Sequence, residues 1–240
     1  MTMTAICSDK LTPVFITGYS VKGGAHKRDG KPNQDSFVIG HSPFVQYMAV
    51  ADGLGSHKYS KKGSRAICKA VKMVAKQLSS GQISENVLTD RIYEFYRASL
   101  NDKIAEAAGT TCLFCIVTGD KLYIGQAGDG ICCVCIDGNF KMTGKKREGE
   151  FTNEVCAVSG KGNVVWRFRT IDISEASTLD VLLMTDGISE DVIPEKCEGF
   201  MHYVMGEDGY PKKRIKKMLK YWETPGSADD KTMTVARWRR

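Results

Sequence analysis

The sequence predicts an α+β fold of layered sheets with helices on the outside. Three observations carry this expectation: apolar, β-prone runs lie on both sides of a pair of segments with helical periodicity, tight glycine turns separate the central strands, and carboxylates recur where apolar runs end. With 240 residues, 42% of them hydrophobic, and only 6 Pro, the chain can bury one large core, and it reads as a single domain over residues 1–240.

The first strong apolar run, 44–50, reads as a buried strand. Two helices follow. Ile67, Ala70, Val71, Val74 and Leu78 repeat at helical spacing, as do Val87, Leu88, Ile92, Phe95 and Leu100 in a segment opened by Ser84. Residues 110–118, 121–127 and 131–136 then read as three strands of an antiparallel meander, joined by Gly119-Asp120 and Gly128-Asp129-Gly130. Asp137-Gly138 is a hairpin turn. A further buried strand covers 181–184. Six basic residues in 212–220, interleaved with Ile215, Met218, Leu219 and Trp222 at helical spacing, give an amphipathic helix with a solvated basic face. Arg237, Arg239 and Arg240 read as a tail after a final strand.

Five acidic clusters stand at the ends of apolar runs or in glycine turns: Gln34-Asp35-Ser36, Ala51-Asp52-Gly53, Gly128-Asp129-Gly130, Thr185-Asp186-Gly187 and Asp229-Asp230. A strand end holds a charge rigidly, and a following Gly lets the backbone turn and expose a carbonyl beside the carboxylate. That suits a hard cation seeking oxygen ligands. Bringing several unpaired carboxylates together costs several kcal/mol through repulsion and desolvation, so such a cluster implies cations that neutralise it.

Six stretches, taken in order, resemble the metal-dependent serine/threonine phosphatases of the protein phosphatase 2C family. They are Asn33-Gln34-Asp35-Ser36, Ala51-Asp52-Gly53-Leu54-Gly55-Ser56-His57, Gly109-Thr110-Thr111, Gly128-Asp129-Gly130, Leu182-Leu183-Met184-Thr185-Asp186-Gly187 and Asp229-Asp230-Lys231-Thr232. Gly23-Gly24-Ala25-His26, the run Gly30 to Asp35, and Gly149-Glu150-Phe151-Thr152-Asn153-Glu154 are similar to a bacterial branch of it. The resemblance implies a four-layer αββα sandwich, two antiparallel sheets flanked by helices, with two Mn2+ or Mg2+ ions in a cleft at one end. It implies hydrolysis of phosphoserine and phosphothreonine by in-line attack of a water bridging the two ions.

By the same resemblance Asp52 bridges the ions with the Gly53 carbonyl beside it, Asp186 and Asp229 hold one of them, and Asp230 supports Asp229. Asp35 orients metal-bound water, Asp129 holds a third ion with Asp186, and His57 donates a proton to the leaving oxygen. The chain departs from the family pattern in three places. Gln34 stands where the family has Glu, Gly130-Ile131 where it often has Ser-Arg, and Gly30 where it commonly has the Arg that binds phosphate. That last contact then falls to His26 or Arg28, with Lys31 as a less directional charge. These departures also motivate the alternative of a catalytically weakened pseudophosphatase that binds a phosphorylated partner. The remaining histidines, His41 and His202, read as loop or helix-face residues.

The formal charge of +6 is compatible with acidic or phosphorylated partners, and no zinc-finger or recognition-helix pattern points to nucleic acid. No run reaches the roughly 20 apolar residues of a membrane span, and residues 1–8 carry no basic flank before a long apolar stretch. The expected protein is cytoplasmic, monomeric and signalling, with a phosphoprotein substrate and a cognate serine/threonine kinase among its partners. Of nine cysteines, five lie in β-prone runs; Cys112 and Cys115 would point to opposite faces of a strand, so reduced core thiols are expected rather than a zinc site. No Cys is followed six positions on by Arg, and no phosphate loop, Gly-x-Ser-x-Gly elbow or Asn-His-Glu motif occurs. Cysteine phosphatases, kinases, serine hydrolases and calcineurin-like enzymes are thereby disfavoured.

Overall fold

Side chains alternate across a strand, so an unbroken apolar run feeds two cores at once, and this sets the layering. The computed structural model describes residues 10–144, 157–162, 164–207, 211–222 and 227–240. Its strands form two five-stranded antiparallel sheets. One sheet is ordered β1 (Thr12–Val21), β10 (Lys231–Arg239), β9 (Thr178–Met184), β6 (Ile131–Ile136) and β7 (Asn139–Thr143). The other is ordered β2 (Ser36–His41), β3 (Gln46–Ala51), β4 (Cys112–Thr118), β5 (Lys121–Ala127) and β8 (Arg167–Asp172).

β4 shows how the layers arise. Cys112, Phe114 and Ile116 pack beneath two helices, α2 (Ser60–Ser79) and α3 (Leu88–Ala98), with Ile67, Val71, Val74, Leu88, Ile92 and Tyr96. Leu113, Cys115 and Val117 face the other way, into the core between the sheets, where they join Leu179, Val181, Leu183 and Trp238. Leu182 and Met184 of β9 point outward to α6 (Cys197–Met205) and α7 (Pro211–Lys220), among Met201, Val204, Ile215 and Leu219. Helix, sheet, sheet, helix is therefore the order, as expected, with α1 (Gly24–Arg28), α4 (Asp102–Glu106) and α5 (Asp186–Ser189) as short elements at loop ends.

Both predicted central helices are present, although the second helix proper starts at Leu88, after a 3-10 turn over Glu85–Val87, and Leu100 lies beyond its end. The buried strand read over 44–50 begins later, at Gln46, because Phe44 is 74% exposed in the β2–β3 turn. Asp137-Gly138 is the expected hairpin, with both residues at positive φ (47° and 79°).

Three expectations are corrected. The meander breaks at Gly128-Asp129-Gly130: β4 pairs with β5, but β6 joins the opposite sheet between β7 and β9. A chain crossing between sheets uses the same glycine chemistry as a hairpin, so local signals do not separate the two. Arg237 and Arg239 are not a tail but part of β10, where both pair with the buried Asp180 of β9 at 3.0 and 2.8 Å. His41 ends β2 rather than lying in a loop or on a helix, and His202 lies on α6. The motif 149–154 falls outside the described residues. Among them, no helix is long and apolar enough to cross a membrane.

Candidate active site

Antiparallel register brings the acidic clusters together. Ser36 at the start of β2 lies opposite Ala51 at the end of β3, and Cys112 at the start of β4 lies opposite Ala127 at the end of β5. In the other sheet Ile131, which starts β6, and Met233, near the start of β10, both face Met184, the last residue of β9. Asp35, Asp52, Asp129, Asp186, Asp229 and Asp230 thus all leave strands at one end of the sandwich.

Threonines fix these loops. Thr185 Oγ1 donates to Asp35 Oδ2 at 2.9 Å and accepts from the Thr232 amide at 3.1 Å, tying the β2, β9 and β10 loops together. The Thr111 amide and Thr110 hydroxyl both donate to the Asp52 carbonyl, at 2.7 and 2.8 Å, and the Asp52 amide donates to Thr111 Oγ1 at 2.9 Å. Two glycines permit the approach. A Cβ on Gly187 would stand 2.0 Å from the Asp230 carbonyl oxygen, and one on Gly23 would stand 2.2 Å from the Asp229 carbonyl carbon.

Asp230 is held by three partners. Its carboxylate accepts from the Gly23 amide at 2.7 Å and the Gln34 amide at 2.6 Å, and it lies 2.8 Å from His26 Nδ1. It therefore acts as a post between α1, the Gln34 loop and β10, while Asp229, its neighbour, keeps a half-exposed side chain. His26, Asp229 and Asp230 together place three ligand atoms within 4.8 Å of one another. The two residues expected to contact phosphate, His26 and Arg28, lie in different surroundings. His26 is buried and engaged by Asp230, and the Arg28 side chain is 75% exposed, beside Asp29. His57 Nδ1 accepts the Gly109 amide at 2.9 Å, which leaves the ring proton on Nε2. That arrangement presents Nε2–H as a hydrogen-bond donor.

The family model of protein phosphatase 2C matches residues 22–220 of this sequence. The chain belongs to the protein phosphatase 2C family. It is a phosphatase by that membership. Comparison with curated protein sequences gives no match. Among solved structures it is similar to RsbX in complex with magnesium, at 16% identity, covering 95% of this chain and 100% of that one with a TM-score of 0.62. The catalytic domain of the serine threonine protein phosphatase PstP, in complex with two manganese ions, is 18% identical over 96% of this chain and 100% of that one, also with a TM-score of 0.62. The serine/threonine phosphatase Stp1 from Staphylococcus aureus is 17% identical over 92% and 93%, with a TM-score of 0.65. At these identities the likeness is one of fold.

The electrostatics of this protein phosphatase 2C site fit divalent cations. Burial first, then the charges of Asp35, Asp186 and Asp229, push the Asp52 carboxyl up to about 11. Burial raises Asp35 to about 6, against lowering hydrogen bonds from Asp52, Thr232 and Thr185, and burial with the Asp129, Asp35 and Asp229 charges raises Asp186 to about 7. Three carboxyls held this far up are an acidic nest lacking positive charge. Among the described residues, Asp35 Oδ1 and Gln34 Oε1 are also buried oxygen acceptors with no hydrogen-bond donor. Sequence reasoning missed Thr185, Thr110, Thr111 and Gly23 as the fasteners of this site, although each lies in or beside a motif it had marked.

Proposed function

We propose that this phosphatase hydrolyses phosphoserine and phosphothreonine in proteins by in-line attack of water, within one domain spanning residues 1–240. The observation that carries the reading is the convergence of Asp35, Asp52, Asp186 and Asp229 from both sheets at one end of the sandwich. Asp52, the Gly53 carbonyl, Asp186 and Asp229 would hold two manganese or magnesium ions, and Asp129 with Asp186 a third, because an all-oxygen set favours hard cations. When bound, such a pair supplies Lewis acidity to the phosphoryl group and activates water.

The chain's own groups do the rest. Asp35, held by Thr185, presents its second oxygen, Oδ1, as an acceptor that aligns a water, and Gln34 Oε1 adds a neutral acceptor where the family carries a charge. His57, fixed through Gly109, offers Nε2–H as a hydrogen-bond donor. His26 and Asp230 position Asp229.

The test is hydrolysis of a chromogenic phosphate ester and a phosphothreonine peptide by metal-stripped protein titrated with manganese, magnesium, calcium and zinc. Manganese, and less strongly magnesium, should restore turnover, and Asp186→Asn should lose most of it, about a hundredfold or more, because one ligand charge is removed. Activity that survives exhaustive chelation would remove this mechanism. Metal binding without turnover on either substrate would favour a pseudophosphatase.

A further inference from the structure

We propose that the exposed face of α2 is a docking groove for acidic residues flanking the phosphorylated residue of the substrate, an inference that rests on the phosphatase reading above. The helix has the sequence SKKGSRAICKAVKMVAKQLS and contains no acidic residue. Lys61, Arg65, Lys69, Lys72 and Lys76 follow each other at intervals of four, four, three and four, which at about 100° per residue places all five within an ~80° sector. Arg65, Lys69, Lys72 and Lys76 are exposed, and among the described residues none of the five forms an ion pair. Alanine, valine and isoleucine fill the opposite face, so the stripe is not a by-product of a uniformly polar helix.

The stripe borders a cleft and leads to the acids. A cavity of about 530 Å³ is lined by Asn33, Asp35, Lys61, Arg65, Lys69 and Lys72, so one end of the groove is the active-site aspartate itself. Its position is fixed: Ser64 Oγ donates to the Gln34 carbonyl at 2.6 Å and lies 2.9 Å from Ser36 Oγ, fastening α2 to the loop that carries Asp35. Lys61 and Lys62 occupy the first turn, where the helix dipole favours acids, and the turn contains none. Placing cations there costs helix stability, which a partner's negative charge would offset. Burial and the nearby charges of Arg65 and Lys22 already press the Lys61 ammonium below its ordinary range.

Dimensions set the occupant. From Lys61 to Lys72 the helix rises ~16 Å, the length of about five residues of extended peptide. A phosphoresidue at the acids would therefore present the four or five residues on one side of it to Arg65, Lys69 and Lys72. An acidic or multiply phosphorylated segment complements that surface, and a basic one is repelled.

The experiment compares wild type with R65A/K69A/K72A, three positions outside the acidic site, in manganese. Substrates are the chromogenic ester and three phosphothreonine peptides with acidic residues before, acidic residues after, or neutral residues on both sides. For an acidic peptide the variant should lose about tenfold in kcat/KM, mainly through KM, with the ester and the neutral peptide within a factor of two. Raising salt should shrink the wild-type preference similarly. Binding of the dephosphorylated acidic peptide, read by fluorescence anisotropy, should weaken in parallel. Equal kcat/KM for acidic and neutral peptides in the wild type, or an equal loss on all substrates in the variant, overturns the groove. So does stripe-dependent binding of a single-stranded oligonucleotide or phosphatidylserine vesicles without binding of the acidic peptide. If the wild type binds acidic peptide through the stripe yet hydrolyses nothing, the surface stands and the phosphatase reading falls; if it hydrolyses every peptide alike, the reverse holds.

Discussion

A single buried carboxylate shows how this site is supported. Asp230 is 1% exposed and takes three partners from two chain segments far away in sequence, so its value lies in what it aligns rather than in any ligand it would bind. His26 is the one side chain among those partners, and it also lies 4.0 Å from Asp229 Oδ1. Removing its ring leaves Asp230 with backbone donors only and frees Asp229 to turn. Outer partners of metal ligands typically govern affinity by 10- to 100-fold. We therefore expect His26→Ala to weaken manganese binding by about tenfold, read by calorimetry, while Arg28→Ala stays within a factor of two in both binding and turnover. Unchanged manganese affinity in His26→Ala, with a raised KM for substrate, would return the histidine to phosphate binding.

At the scale of elements, β9 and β10 couple the ends of the sandwich. One end leads into Asp186, Asp229 and Asp230, and at the other end Asp180 accepts from Arg237 Nε at 3.1 Å and Nη2 at 3.0 Å and from Arg239 Nη1 at 2.8 Å. Asp180→Asn would leave two guanidinium groups facing a neutral amide, at a cost of about 2–3 kcal/mol. We expect a melting temperature lower by ~5 °C or more, with metal-dependent turnover at 25 °C retained, since no acid of the site is touched. This pairing was illegible in the sequence. Asp180 sits 57 positions from Arg237, and nothing local marks a basic strand whose partner lies in another strand. β4, β5, β6 and β9 were legible because they are buried on both faces and read as continuous apolar runs. β1, β7 and β8 sit at sheet edges with alternating burial and polar insertions, and their signal is correspondingly weak. The acids were legible as a set through their Asp-Gly and Asp-Asp contexts; the surroundings of His26 were not, because its ring is engaged by a carboxylate two hundred residues away.

For the molecule as a whole, the acid cluster makes stability depend on pH and cations together. In the metal-free protein Asp35, Asp52 and Asp186 bind protons more tightly folded than unfolded, their carboxyls standing at about 6, 11 and 7 against 3.8. Groups raised in this way contribute stability that is fully present below the unfolded value, and that stability is lost as pH rises through the folded values. Chelated protein should therefore melt at a higher temperature at pH 5 than at pH 8, by more than about 5 °C, which is opposite to the usual acid lability of salt-bridged carboxylates. Cations compete with those protons, so manganese should raise the melting temperature more at pH 8 than at pH 5 and flatten or invert the pH slope. The Asp52→Asn variant removes the most strongly raised carboxyl and should lose much of the slope in chelator together with the manganese response. Scanning calorimetry or a dye melt across pH 5–8, with and without manganese, reads all of these at once. A chelated protein that gains stability steadily from pH 5 to pH 8 would mean that the acids are not clustered as the strand register places them.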